Sequence, residues 1–126
     1  MSGPEPDLDS AFYWAALREH RIALQQCDSC SRRRFPPMPG CPYCGATGHE
    51  VVVVGGGGQL YSWVRVHRAL TAAVTGDLPY NVGVVELEAG PRMIARIEGE
   101  PCIGAAATPT FEDHDEWTEL RYRVVP

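Results

Sequence analysis

Two pairs of cysteines carry the clearest chemistry in this sequence. Cys27 and Cys30 form one pair, Cys41 and Cys44 the other; two residues lie inside each pair and ten lie between the pairs. A two-residue gap lets both sulfurs of one tight turn aim at the same ion, with the turn's amide N–H groups available to them. Gly45 follows the second pair and permits a left-handed turn there, and Pro42 stiffens that turn. Between the pairs, Arg32 to Gly40 is too rich in proline to be helical and reads as an extended finger. Four protein sulfurs close a tetrahedral site and leave no open position, so the ion would be structural and not catalytic. Thiolates suit zinc and iron alike. Zinc is the expected ion and iron the alternative; an iron site would make the chain a rubredoxin-like electron carrier.

The remaining chemistry-bearing residues are scattered. A fifth cysteine, Cys102, stands alone between Pro101 and Ile103, and is expected to be a buried, inert side chain. The odd count, with no basic segment leading into an apolar core at the N-terminus, argues against a disulfide framework and for a cytoplasmic location. All 11 basic residues are arginine. Without lysine, Schiff-base chemistry on a side-chain amine is excluded, as is the usual phosphate-loop signature. The run Gly55-Gly56-Gly57-Gly58 therefore reads as a flexible join or a bulged strand entrance. His67 has no recognisable set of nucleophile and orienting carboxylate and is expected at the barrel's edge, and His20, His49 and His114 are likewise expected at the surface.

Three kinds of element must position these residues. Asp9 or Ser10 can cap a helix running to about His20, preceded by a loose tail over residues 1–8. Its run Ala11-Phe12-Tyr13-Trp14-Ala15-Ala16-Leu17 is apolar around the whole helical circumference. Such a helix either lies in a groove between two modules or shows its aromatics to a partner. Val51 to Val54 is β-prone. From Gln59 on, Leu60, Ser62, Val64 and Val66 alternate with Tyr61, Trp63, Arg65 and His67, as in a half-buried strand. A long loop over 68–79 follows, then strands at Tyr80–Leu87, Arg92–Glu98, Cys102–Ala107 and Trp117–Val125. Five short antiparallel strands suggest a small closed barrel of the OB type. The expected organisation is mainly β: tail and helix over 1–20, metal ribbon over 21–50, barrel over 51–126.

In this order the chain resembles the DUF35 family, which joins an N-terminal helical segment, a rubredoxin-like zinc ribbon and an OB-fold. The resemblance rests on Phe12-Tyr13-Trp14, on Leu24 through Cys30, on Arg34-Phe35-Pro36-Pro37 and on Cys41-Pro42-Tyr43-Cys44-Gly45. In the barrel it rests on Gly58 through Trp63, Leu78-Pro79-Tyr80, Val84 through Arg92, and Ile103-Gly104. The family is found with thiolase-superfamily enzymes acting on acyl-CoA thioesters, among them a retro-aldolase that shortens steroid side chains. The resemblance thus implies a non-catalytic subunit that stabilises such a partner and helps form its acyl-CoA channel. Phe12, Tyr13, Trp14, Tyr61, Trp63, Arg65 and His67 are the candidate partner contacts. Arg32, Arg33 and Arg34 are candidates for CoA phosphates, where guanidinium forks excel. An aromatic OB-fold face can also bind single-stranded nucleic acid. The net charge of −5 and the acidic run from Glu112 to Glu116 oppose that alternative.

Overall fold

The computed structural model describes residues 3–68 and 78–125. Most of the expected 68–79 loop lies outside the described residues. Helix α1 (Ala11–Arg18) leads into a three-stranded ribbon sheet, ordered β2–β1–β3, of β1 (Ile22–Cys27), β2 (Arg33–Arg34) and β3 (His49–Val54). Five strands then close a barrel: β4 (Gly58–Val66), β5 (Tyr80–Leu87), β6 (Arg92–Glu98), β7 (Ala106–Asp113) and β8 (Thr118–Val125). Their order round the barrel is β4–β5–β6–β8–β7 and back to β4, with β6 and β8 parallel. That is the OB-type closure expected from the strand count. None of the described helices is long and apolar enough to cross a membrane.

One apolar core serves all three parts. Tyr13 and Leu17 of α1, Ile22 and Leu24 of β1, and Leu60, Val85, Met93, Tyr122 and Val124 of the barrel belong to the same buried cluster. β1 is the middle strand of its sheet, and its first four residues are all buried. At the edge strand β3, Val52 and Val54 pack toward the core while Val51 and Val53 face outward, the alternation a two-sided strand imposes. A ribbon this small cannot bury enough apolar area alone, and Ile22 and Leu24 join it to the barrel's interior. The aromatic helix therefore occupies the groove between modules: Tyr13 stands 5.2 Å from the Phe35 ring and donates its hydroxyl to Met93 Sδ. Arg18 fastens the helix end to the β7–β8 turn by donating to the carbonyls of His114, Asp115 and Trp117 at 2.7, 2.7 and 3.0 Å.

Three expectations are corrected. The fourth barrel strand is Ala106–Asp113 and not Cys102–Ala107, and Pro109 lies within it. Cys102 is consequently exposed, next to a turn at Ile103-Gly104. The alternation in β4 breaks at a bulge between Leu60 and Ser62, which leaves Tyr61 as an extra residue opposite β5. One inserted residue exchanges the faces of everything beyond it. Trp63 now packs against the core, whereas Val64 is 62% exposed.

The glycine run is a tightly packed joint between ribbon and barrel and not a flexible link. Gly56 has φ +78, and a Cβ there would stand 2.2 Å from Ile22 Cδ1. Its carbonyl accepts the buried Tyr122 hydroxyl at 2.6 Å. Gly55 beside it has open space where a Cβ would go. Gly56→Ala is therefore expected to cost about 2–4 kcal/mol, from left-handed strain plus overpacking. Gly55→Ala should stay within about 0.5 kcal/mol. Denaturant unfolding of both variants checks the contrast, and equal effects would contradict the packed joint.

Candidate metal centre and its surroundings

The two cysteine turns are built alike. Ser31 N–H donates to the Cys27 carbonyl at 3.0 Å, and Gly45 N–H donates to the Cys41 carbonyl at 2.9 Å. The residue after each pair is left-handed, with φ 63 at Ser31 and 81 at Gly45. The turns are fixed at their bases by Cys27 N–H to the Arg32 carbonyl and by Cys41 N–H to the Ala46 carbonyl. β1 delivers Cys27, and its pairing with β3 brings His49 opposite that cysteine. Gly45 was legible as a turn residue. Ser31 was not, because serine does not announce a positive φ.

The four sulfurs lie within 4.8 Å of one another. Cys27 and Cys44 are 3.6 Å apart, as are Cys30 and Cys41. A tetrahedron with metal–sulfur bonds near 2.3 Å has edges of about 3.8 Å, whereas a disulfide holds its sulfurs at about 2.05 Å. The donor set thus fits one tetrahedral thiophilic ion and no disulfide. Backbone N–H from Cys30, then from Ser29, holds Cys27 below the ordinary thiol range against the opposing effect of burial. Burial also acts to raise Cys41, but N–H groups of Tyr43 and Cys44 and the Cys30 and Cys44 thiols outweigh it and bring Cys41 down to about 6. At Cys44 the N–H of Ala46 favours the thiolate; the Cys27 thiol, burial and the other two thiols together push it up to about 11. The first charges in the cluster are stabilised by amides, and the last requires a cation.

Arg32, Arg33 and Arg34 part company on the finger. Strand side chains alternate in direction, so Arg34 turns inward and is 2% exposed. Its Nε donates to Gln25 Oε1 and its Nη2 to the Met38 carbonyl, both at 3.1 Å, and Met38 N–H reaches the same Gln25 oxygen. Gln25 was missed in the sequence; its register opposite Arg34 is the signal that could have found it. Arg34 is thus an internal brace with no surface to offer CoA. Arg33 bonds Gln26 Oε1 and the Ala89 carbonyl, while the exposed Arg32 sits 4.8 Å over the Tyr43 ring. Together with Ser31 and Gly90 these residues line an open hollow of about 580 Å³ between finger and barrel.

The expected aromatic contact face is likewise divided. Tyr13 is 6% exposed, while Phe12 and Trp14 are half-buried against the core. Tyr61 is half exposed, with the Arg92 guanidinium 3.9 Å over its ring. The bulge puts Trp63 on the other side, where Arg65 lies 5.4 Å over its ring and donates to Asn81. His67 lies just past β4 and is exposed. His20 stacks on Phe111 and meets Asp113 Oδ2 at 2.9 Å. Bonds from Thr118 and then His20 hold that carboxyl below its ordinary range. The Thr118 hydroxyl donates to the carboxylate and not to the imidazole, so the trio activates no nucleophile.

Two measurements follow. Cobalt(II), used as a probe, is expected to give the visible bands of a tetrahedral tetrathiolate, lost in Cys27→Ala. At pH 7.5 loading should release fewer than four protons per ion, because Cys41 is already ionised while Cys44 still carries its proton. Release should climb and affinity should fall toward pH 5, where Cys41 is protonated. Four protons at every pH would contradict the amide-stabilised thiolate. Separately, Ser31→Gly should stabilise the protein by about 0.5–1 kcal/mol by relieving its left-handed backbone.

Comparison with known proteins places this geometry. A family described as the ChsH2 rubredoxin-like zinc ribbon domain matches residues 14–50, and the ChsH2 C-terminal OB-fold domain matches residues 51–112. A solved structure described as Ltp2-ChsH2(DUF35) aldolase superposes with TM-score 0.85 and 31% identity, covering 97% of this chain and 98% of that one. The 3-oxo-4,17-pregnadiene-20-carboxyl-CoA hydratase alpha subunit of Mycobacterium tuberculosis is 30% identical over 94% of this chain and 38% of its own length. The benzoylsuccinyl-CoA thiolase subunit BbsA of Thauera aromatica is 32% identical over 60% of this chain and 51% of its own. The chain thus spans about a third of the length of the hydratase alpha subunits it matches, at 30% and 38%. Ribbon, shared core and OB-type barrel together make this chain a member of the DUF35 family.

Proposed function

We propose that this chain is a non-catalytic accessory subunit that binds and stabilises a thiolase-superfamily partner acting on acyl-CoA thioesters, and walls part of that partner's acyl-CoA channel. The observation that carries the reading is the superposition, over nearly its whole length, on a DUF35 chain described as part of an aldolase. The thiolase-subunit name of a second relative points to the same class of partner. A steroid side-chain thioester is the specific substrate we favour, after the pregnadiene-carboxyl-CoA hydratase relative. The chemistry would come from the partner. Among the described residues four cysteine sulfurs form a closed set, and His20 and His114 pair with carboxylates and not with a nucleophile.

In this reading the ion is zinc, whose lack of redox chemistry and tolerance of any tetrahedral geometry suit a purely structural clasp. Its work is to hold the finger rigid. Arg32 and Arg33 then present guanidinium groups at the hollow beside Ala89 and Gly90, where CoA phosphates would be met. The complex would be a cytoplasmic hetero-oligomer.

Co-expression with a thiolase-like protein, followed by size-exclusion chromatography, tests the reading. A single co-eluting species with one zinc per copy of this chain is expected; two separate peaks at mild salt would end the subunit hypothesis. Within the complex, Arg32→Ala should raise the partner's KM for acyl-CoA roughly 5–10-fold with kcat unchanged, the pattern of lost uniform binding. An unchanged KM would remove the CoA contact and leave the subunit role standing.

A further inference from the structure

The first described residues lie on a second hollow, far from the metal in sequence. It has a volume of about 580 Å³ and is lined by Trp14, Ala15 and Arg18 of α1, by Glu116 and Trp117 of the β7–β8 turn, and by the tail itself. Trp14 and Trp117 meet edge to face with centroids 6.3 Å apart. Trp117 also stacks on His114 at 4.6 Å. The indoles are thereby fixed in place as the floor of a cleft.

The segment on that floor is Gly3-Pro4-Glu5-Pro6. Gly3 lies so close that a Cβ there would stand 2.6 Å from Trp117 Cδ1 and 3.0 Å from its Nε1. The segment's far end is tied down by a reciprocal pair in which Ser10 N–H donates to Asp7 Oδ1 at 2.8 Å and Asp7 N–H donates to Ser10 Oγ at 3.2 Å. Extended, proline-containing backbone on paired aromatic rings is a recurring recognition mode, because such a segment loses little entropy on binding and offers its carbonyls to ring N–H donors. Here that last bond is missing: the Trp117 Nε1 is buried and has no partner among the described residues. A buried indole N–H without an acceptor is rare. The tail thus covers the cleft without using its donor.

We propose that the Trp14–Trp117 cleft is a docking site for an extended, proline-containing peptide segment of a partner protein, held in the isolated chain by the chain's own residues 3–6. The incoming segment places a backbone carbonyl at the Trp117 indole N–H and a proline ring against the indoles, and it displaces the tail. Gly3 marks where backbone must pass without a side chain, so a partner segment carries glycine or leaves that spot empty.

The test uses the full chain, with Gly3→Val to push the tail off Trp117 without altering the cleft. The probe is a synthetic peptide of residues 1–8. The readout is the indole N–H resonances in heteronuclear NMR, with Trp63 on the barrel as internal reference. Gly3→Val is expected to shift the Trp117 signal and leave Trp63 in place, which also reports that the fold is intact. The peptide should then bind this variant at least tenfold more tightly than the unaltered chain, and a peptide with both prolines replaced by alanine should bind at least fivefold more weakly. An unmoved Trp117 signal in Gly3→Val, no binding at millimolar peptide, or equal binding of the alanine peptide would each overturn the proposal. Should Trp63 shift as well, Pro4→Ala/Pro6→Ala replaces Gly3→Val, and the same outcomes decide.

Discussion

Four thiols packed within 4.8 Å of one another cannot all carry charge without a cation between them. That constraint organises the N-terminal half of the molecule. Amide groups from the two turns stabilise the first thiolates, and a tetrahedral ion would complete the set. Cys27 is also the last residue of β1, whose other end supplies Ile22 and Leu24 to the core shared with the barrel. The metal clasp and the apolar core are thus two ends of one six-residue strand. Between them, Gln25 gathers Arg34 and Met38, so the polar interior of the finger is braced from that strand as well.

The barrel meets this strand at a joint with no slack. Ile22 fills the space a side chain at Gly56 would need, and Tyr122, on the last strand, bonds the same glycine's carbonyl. Gly58 is pressed against the Glu86 backbone in the same way. Ribbon and barrel are therefore set at one mutual orientation. A finger free to swing could not keep Arg33 on the Ala89 carbonyl or Arg32 at the hollow beside it.

Much of this was legible in the residues. The cysteine spacing gave the four-sulfur cluster, and alternation gave β5, β6 and β8 to within a residue. Failures arose where tertiary contacts override local pattern. A single bulged residue, Tyr61, reversed the faces of β4, and nothing in the alternation of 60–67 betrays it. Pro109 disguised β7, although its pairing with β8 runs unbroken from Ala106 to Asp113. Three consecutive arginines looked equivalent, yet strand geometry buries one of them on a glutamine that sequence reading had passed over. The aromatic helix allowed two readings, and only the position of Phe35 and Met93 decides between them.

The clamp made by Arg18 has a bearing on the order of events during synthesis. Its acceptors, the carbonyls of residues 114 to 117, come 96 to 99 positions later in the chain. Translation proceeds at roughly 5–20 residues per second, so several seconds separate the emergence of the helix from that of its seat. Through that interval Tyr13 lacks its Met93 partner and Trp14 lacks Trp117. The helix is therefore fixed only when the β7–β8 turn has emerged, whatever the ribbon has already formed.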